Sequence, residues 1–288
     1  MLKTLSPGAM GLKGYGIEQA IELAAASGFD AIVFDIVEAT RLADERGPGW
    51  LKSRFSDAGI APGYWGLPFK WRDADAVSTG LADLPRQLEI GQQLGCGIVA
   101  TGIPWGLDDF PYEQNFAIHV EKMRPVAEAV KAGGGHLGIE FIGPKTLRNQ
   151  NRYEFVYSLA RLRDFTAAVG TGNIGAVLDI WHLYTAGESN EAIDDLTPND
   201  VAVVHVNDAP KGIPRDEQMD LSRALPLETG VLDAVDFMQR LDRIGFRGPV
   251  MPEPFSATLN ELAASDPLAA ARKLGASLDL LWSRSGLA

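Results

Sequence analysis

Eight short apolar or β-branched runs recur along the chain, near residues 2-6, 30-36, 61-65, 97-103, 137-142, 174-180, 201-207 and 248-253, with helical periodicity between most of them. A strand, a helix and another strand in repeated succession is the pattern of βαβ units around a parallel sheet. Eight such units close on themselves, so the expected fold is α/β, a (β/α)8 TIM barrel. It is expected to take residues 1-288 as one domain, close to the roughly 250 residues usual for such barrels. Clear helical patterns run from Ile17 to Ser27, Leu81 to Leu94, Glu113 to Ala132, Glu154 to Val169, Val231 to Ile244 and Pro267 to Trp282. Pro, Gly and Asp interrupt the second and sixth connections and blur their helices. The Pro- and Gly-rich stretches Gly102 to Pro111 and Asp208 to Gly230 follow strands four and seven, which in a barrel puts them on the catalytic rim. The second, about 23 residues long, exceeds an ordinary connection and reads as a functional lid.

Four of these strands end in the same way. Leu137-Gly138-Ile139 runs into Glu140, Ala176-Val177-Leu178 into Asp179, Val203-Val204 into His205, and Val250-Met251-Pro252 into Glu253. An apolar strand that presents a carboxylate at its end needs a partner for the charge. Taken singly, such an Asp or Glu reads as a helix cap and a strand histidine as a satisfied core residue. The four together read differently, because consecutive C-terminal strand ends lie side by side although they are 39, 26 and 48 residues apart in sequence. Three carboxylates around one imidazole require a cation, since close like charges otherwise force one carboxylate to protonate. The expected ligands of one divalent metal are therefore Glu140, Asp179, His205 and Glu253. Oxygen-rich donors suit Mn²⁺, Mg²⁺ or Co²⁺, and Zn²⁺ also accepts carboxylates.

Composition narrows the partners. Lys plus Arg number 26 against 38 Asp plus Glu, a net charge of −12, and such a field repels nucleic acid and anionic lipid. No stretch approaches the roughly 18 to 20 apolar residues of a membrane span, and no leader pattern opens the chain, so a cytoplasmic protein is expected. Lone Cys96 cannot form an intrachain disulfide and reads as a small buried hydrophobe. His119, in a helical pattern, and His136, at the start of strand five, read as structural. An apolar barrel flank has the character to support a homo-oligomer.

The blocks Gly138-Ile139-Glu140-Phe141-Ile142-Gly143, Val177-Leu178-Asp179-Ile180-Trp181-His182, Val204-His205-Val206-Asn207-Asp208 and Pro252-Glu253-Pro254-Phe255 resemble, in order and spacing, the xylose isomerase-like TIM-barrel superfamily of sugar isomerases and epimerases. Arg223-Ala224-Leu225-Pro226 adds a likeness to its inosose (2-keto-myo-inositol) isomerase-like branch. The resemblance covers about residues 130 to 285, and the first half only in layout. It implies that the four strand-end residues hold the metal while His182 and Arg223 contact the substrate. Two departures stand out. Ketose 3-epimerases of this superfamily carry a further glutamate soon after the first ligand, where this chain has Lys145-Thr146. The relatives' Pro-Gly-x-Gly is replaced by Pro226-Leu227-Glu228-Thr229-Gly230. The His-Val-Asn-Asp block also resembles metal-dependent AP endonucleases, but these need more histidines than His119, His136, His182 and His205 supply.

The expected chemistry is proton transfer next to the carbonyl of a keto-sugar or inosose. A metal stabilises the developing enediolate charge while Glu140 and Glu253 move the proton as acid and base. Trp65, Trp105 and Trp181, at strand ends three, four and six, are candidates to pack against a sugar or cyclitol. Lys145 is a candidate for a substrate oxygen or phosphate, although no Gly-rich phosphate loop accompanies it. A lyase on the same scaffold, a dehydratase or deglycosidase, uses the same groups. A barrel that only binds sugar has no need of two acid/base glutamates beside a metal.

Overall fold

A computed structural model describes residues 1–287. Its barrel strands are β1 (Leu2–Leu5), β2 (Ala31–Phe34), β3 (Ala61–Gly66), β4 (Ile98–Gly102), β5 (His136–Glu140), β6 (Ile174–Asp179), β7 (Val201–Val206) and β8 (Pro249–Pro252). Each pairs with its neighbour in sequence and β8 pairs with β1, so the parallel sheet closes, with helices around it: a TIM barrel. The register brings the strand ends level. Gly102 pairs with Glu140, Asp179 with His205, and His205 with Met251, two residues before Glu253.

Local chemistry explains where the helices depart from expectation. The helix expected from Leu81 begins at Ala74, because the Asp73 carboxylate accepts the Asp75 and Ala76 amides at 3.0 and 3.2 Å. The helix expected from Glu154 begins at Leu159, where the Ser158 hydroxyl accepts the Arg161 amide. Tyr153–Glu154 is extended instead, in a two-residue antiparallel ribbon with Gly106–Leu107. After β2 the blurred connection resolves into two helices, Ile36–Arg46 and Pro48–Ala58, broken at Gly47 with φ of 87°. After β6 it becomes the short helix Ile180–Ala186 followed by single 3-10 turns. Among the described residues no helix is long and apolar enough to cross a membrane.

Successive strand residues face opposite sides of the sheet, so a barrel has two apolar layers. The inner one is small: Tyr64, Val177, Ala202, Val203 and Met251, with Val33, Ile98 and Ala100 against it. The outer one, between strands and helices, takes most of the core, including Leu178, Phe141 and Trp65. Here the structure corrects the reading of β3. Trp65 does not face the rim: it is fully buried in the outer layer, so close to Gly91 that a Cβ there would lie 3.2 Å from the indole Nε1. Tyr64, one residue earlier, takes the inward position. Cys96 is buried beside this contact, its thiol donating to the Gly63 carbonyl at 3.2 Å, and burial pushes that thiol up to about 11.

Trp65→Ala is therefore expected to lower stability by about 3–5 kcal/mol, the usual loss for emptying a large core site. Metal affinity of the folded protein should stay at the wild-type value. Denaturant unfolding and a metal titration of the same preparation check both halves.

Candidate metal centre

Glu140, Asp179, His205 and Glu253 each offer one ligand atom, and these atoms all lie within 4.8 Å of one another. His205 presents Nδ1 to the group, 3.0 Å from Glu140 Oε1, 3.6 Å from Glu253 Oε2 and 3.9 Å from Asp179 Oδ2. The two glutamate side chains keep 20% and 16% exposure, whereas Asp179 is fully buried at the back. Asp179 is also the N-cap of Ile180–Ala186: its Oδ1 accepts the Trp181 amide at 2.7 Å and a longer contact from His182. The Asn207 amide donates to the same carboxylate. Oδ1 is thus fastened to the helix start, and Oδ2, which also takes the longer Asn207 contact at 3.4 Å, faces the centre.

Arg223 closes the back of the site. Its Nη1 lies 2.8 Å from Asp179 Oδ2 and 2.9 Å from Glu253 Oε2, and its Nη2 donates to Asp220 at 3.0 Å. The guanidinium lies over the rings of Trp181 and Phe255, 4.5 and 4.9 Å from their centres, and its side chain is 1% exposed. Phe255 holds φ of 38°, a strained backbone for an aromatic residue. Trp181, fully buried, is a platform for Arg223 and has no open face at the rim. His182 is buried next to it, with the Gly143 amide 3.2 Å from Nδ1 and Arg223 Nη2 3.2 Å from Nε2. Burial lowers its pKa, and a neutral imidazole has a single acceptor nitrogen, so only one of these two donors is accepted at a time. Gly143 permits the approach: a Cβ there would meet the His182 carbonyl at 2.1 Å.

Trp105 is half-buried on the loop after β4. Lys145 is exposed at the rim and paired with Asp216 at 2.9 Å, across the loops that follow β5 and β7. A hollow of about 480 Å³ opens on the same rim, lined by Phe69, Lys70, Trp71, Arg72, Asp73, Thr101 and Gly102. Gly102 is the strand partner of Glu140, which puts this hollow next to the centre.

Sequence reasoning missed two residues that shape the site. Tyr64 reaches up from β3, its hydroxyl 3.0 Å from His205 Nε2. Asp208 ties the long loop at its stem: its carboxylate accepts the amides of Thr229, Gly230 and Leu232 at 2.7 to 3.0 Å, and its backbone bridges to Ala224. The stretch read as a lid is thus fastened at the base, and Arg223 sits beside the fastening. The strand-end position of Asp208 was a visible signal, but its partners lie 21 to 24 residues away.

Electrostatics follow from this crowding. Burial opposes ionisation of Asp179, but Arg223, then His182 and His205, outweigh it and hold its carboxyl down at about 2. Glu253 is also held low, as His205 and Arg223 overcome its burial. Burial opposes charge on His205 too, yet Tyr64, Glu253 and Glu140 together raise its pKa well above the ordinary histidine value. The surroundings thus favour a positive charge at Nδ1, as a proton or as a metal in its place. Three carboxylates, one imidazole nitrogen and one guanidinium at the back leave a negative balance that fits a divalent cation among Glu140, Asp179, His205 and Glu253. Asp179→Asn is expected to abolish stoichiometric metal uptake and to destabilise the protein by about 3–5 kcal/mol, because Arg223 stays buried with a partner removed. Elemental analysis and thermal unfolding read the two effects.

Residues 21–281 match the family model described as xylose isomerase-like TIM barrel. An inosose isomerase from Bacillus velezensis is 25% identical over 153 residues, which is 53% of this chain and 51% of that protein. The chain spans about half the length of the curated relatives it matches. Among solved structures, a xylose isomerase domain protein from Alicyclobacillus acidocaldarius superposes with a TM-score of 0.86 at 27% identity, over 99% of both chains. The IolI protein, solved with a bound zinc atom, superposes with a TM-score of 0.77 over 99% of both chains, a likeness of fold at 18% identity. With a closed eight-stranded barrel and a family match over most of its length, the chain belongs to the xylose isomerase-like TIM barrel family.

Proposed function

We propose that the protein is a divalent-metal-dependent isomerase or epimerase of a keto-sugar or inosose. The observation that carries this reading is the convergence of Glu140, Asp179, His205 and Glu253 within 4.8 Å on the open face of the barrel. The family match and the inosose isomerase likeness support the substrate class. When bound, the metal, one of Mn²⁺, Mg²⁺, Co²⁺ or Zn²⁺, supplies Lewis-acid polarisation of a carbonyl and its neighbouring hydroxyl.

The residues divide the remaining work by exposure. Asp179 and His205, buried on β6 and β7, serve as fixed ligands. Glu140 and Glu253 keep open edges toward the rim, and they flank a substrate as ligand and proton carrier together. Arg223 and His182 act from behind: Arg223 grips the two carboxylates by Nη1, and His182 lies against its Nη2. Trp105 and the hollow beside Gly102 give the far end of the substrate a place to rest.

The test is proton exchange in deuterated water, offering inososes and ketoses to the metal-loaded protein and to Glu253→Gln. Expected is metal-dependent deuterium uptake next to the carbonyl with product mass otherwise conserved, slowed about 10²- to 10⁴-fold in the variant. Absence of exchange across the panel with metal bound refutes the reading. Release of water or an aglycone moves it to a lyase.

A further inference from the structure

Tyr64 stands out in the inner layer of the barrel. Its neighbours there are Val177, Ala202, Val203 and Met251, yet it brings a hydroxyl into them while 6% exposed. A buried hydroxyl without a partner is destabilising, so the two contacts it makes matter: Met251 Sδ at 3.1 Å and His205 Nε2 at 3.0 Å. The hydroxyl has one proton to give. With that proton directed at the sulfur, its oxygen lone pair accepts Nε2–H of His205. A neutral imidazole holding its proton on Nε2 has its lone pair on Nδ1, the nitrogen that faces Glu140, Glu253 and Asp179.

We propose that Tyr64 is a positioning residue of the metal centre, selecting through its hydroxyl the His205 tautomer whose Nδ1 lone pair points at the cation. This rests on the reading of His205 as a ligand and deepens it. The opposite tautomer would aim an N–H at the place a metal takes. It would also set a lone pair on Nε2, against a hydroxyl oxygen whose proton points elsewhere. The ring itself is held by the apolar layer, which fixes the oxygen under His205 independently of anything bound above.

Tyr64→Phe removes the oxygen and keeps the ring, and Met251→Leu keeps volume while removing the sulfur that takes the hydroxyl proton. Affinity for Co²⁺ and Zn²⁺ would be measured by competition with a chromophoric chelator, alongside the visible ligand-field spectrum of the Co²⁺ protein and metal-free thermal unfolding. Expected for Tyr64→Phe is an affinity about 10- to 100-fold lower, as for loss of a partner behind a ligand, with a shifted Co²⁺ spectrum. Met251→Leu should move affinity the same way by a smaller factor. Variants that melt lower but bind Co²⁺ and Zn²⁺ within twofold of wild type, with an unchanged spectrum, would show Tyr64 to be packing alone and overturn the proposal. A wild type that binds neither metal overturns the ligand reading of His205 and the proposal with it, whereas binding by wild type and variants alike leaves the centre standing.

Discussion

Three carboxylates brought to one point in a largely desolvated place repel one another strongly, and the C-terminal face of this barrel is organised around that repulsion. Each negative group is held by something positive or by an N–H. Asp179 has helix amides, the Asn207 amide and Arg223; Glu253 has Arg223 and His205; Glu140 has His205. Arg223 must itself be carried into the interior, so the chain surrounds it with Trp181, Phe255 and Asp220. Phe255, two residues after Glu253, carries a strained φ of 38° while its ring lies against that guanidinium. What remains is a pocket of net negative charge whose compensation at His205 Nδ1 is a proton that a bound cation would replace.

The convergence of Glu140, Asp179, His205 and Glu253 was legible in sequence because each is an abrupt polar residue ending an apolar run, and parallel closure puts such ends together whatever their separation. The fold was legible for a related reason: eight runs of the right length leave few ways to bury both faces. The phase of a strand was not legible where the run is short and mixed. Residues 61–66 read Ala-Pro-Gly-Tyr-Trp-Gly, and nothing in that order says whether Tyr64 or Trp65 faces inward. The register shift between Ile32 and Val33, opposite Pro62 and Tyr64, helps decide it, and that is a property of paired strands.

Arg223 shows the other limit. The resemblance implied contact with a substrate; its depth depends on how Asp208 gathers the loop, a matter of hydrogen bonds across more than twenty residues. Lys145 shows the same on the surface: a lone cation in sequence, it is half of an ion pair that joins two rim loops. Charges on a rim take their roles from loop geometry, which periodicity does not encode.

The knot at Asp208 separates the long loop into a stem and a tip. The stem returns the chain to β7 at Ala224, so the ends of the intervening segment are held together however long it is, and lengthening a closed loop raises its entropy penalty only slowly. The tip, residues 211–219, exposes Ile213 and Met219 and is pinned to the loop after β5 through Asp216 and Gln218, while Arg223 keeps its grip below. Substitutions at Ile213 and Met219 can therefore reshape the surface of the tip without reaching the buried charges beneath it.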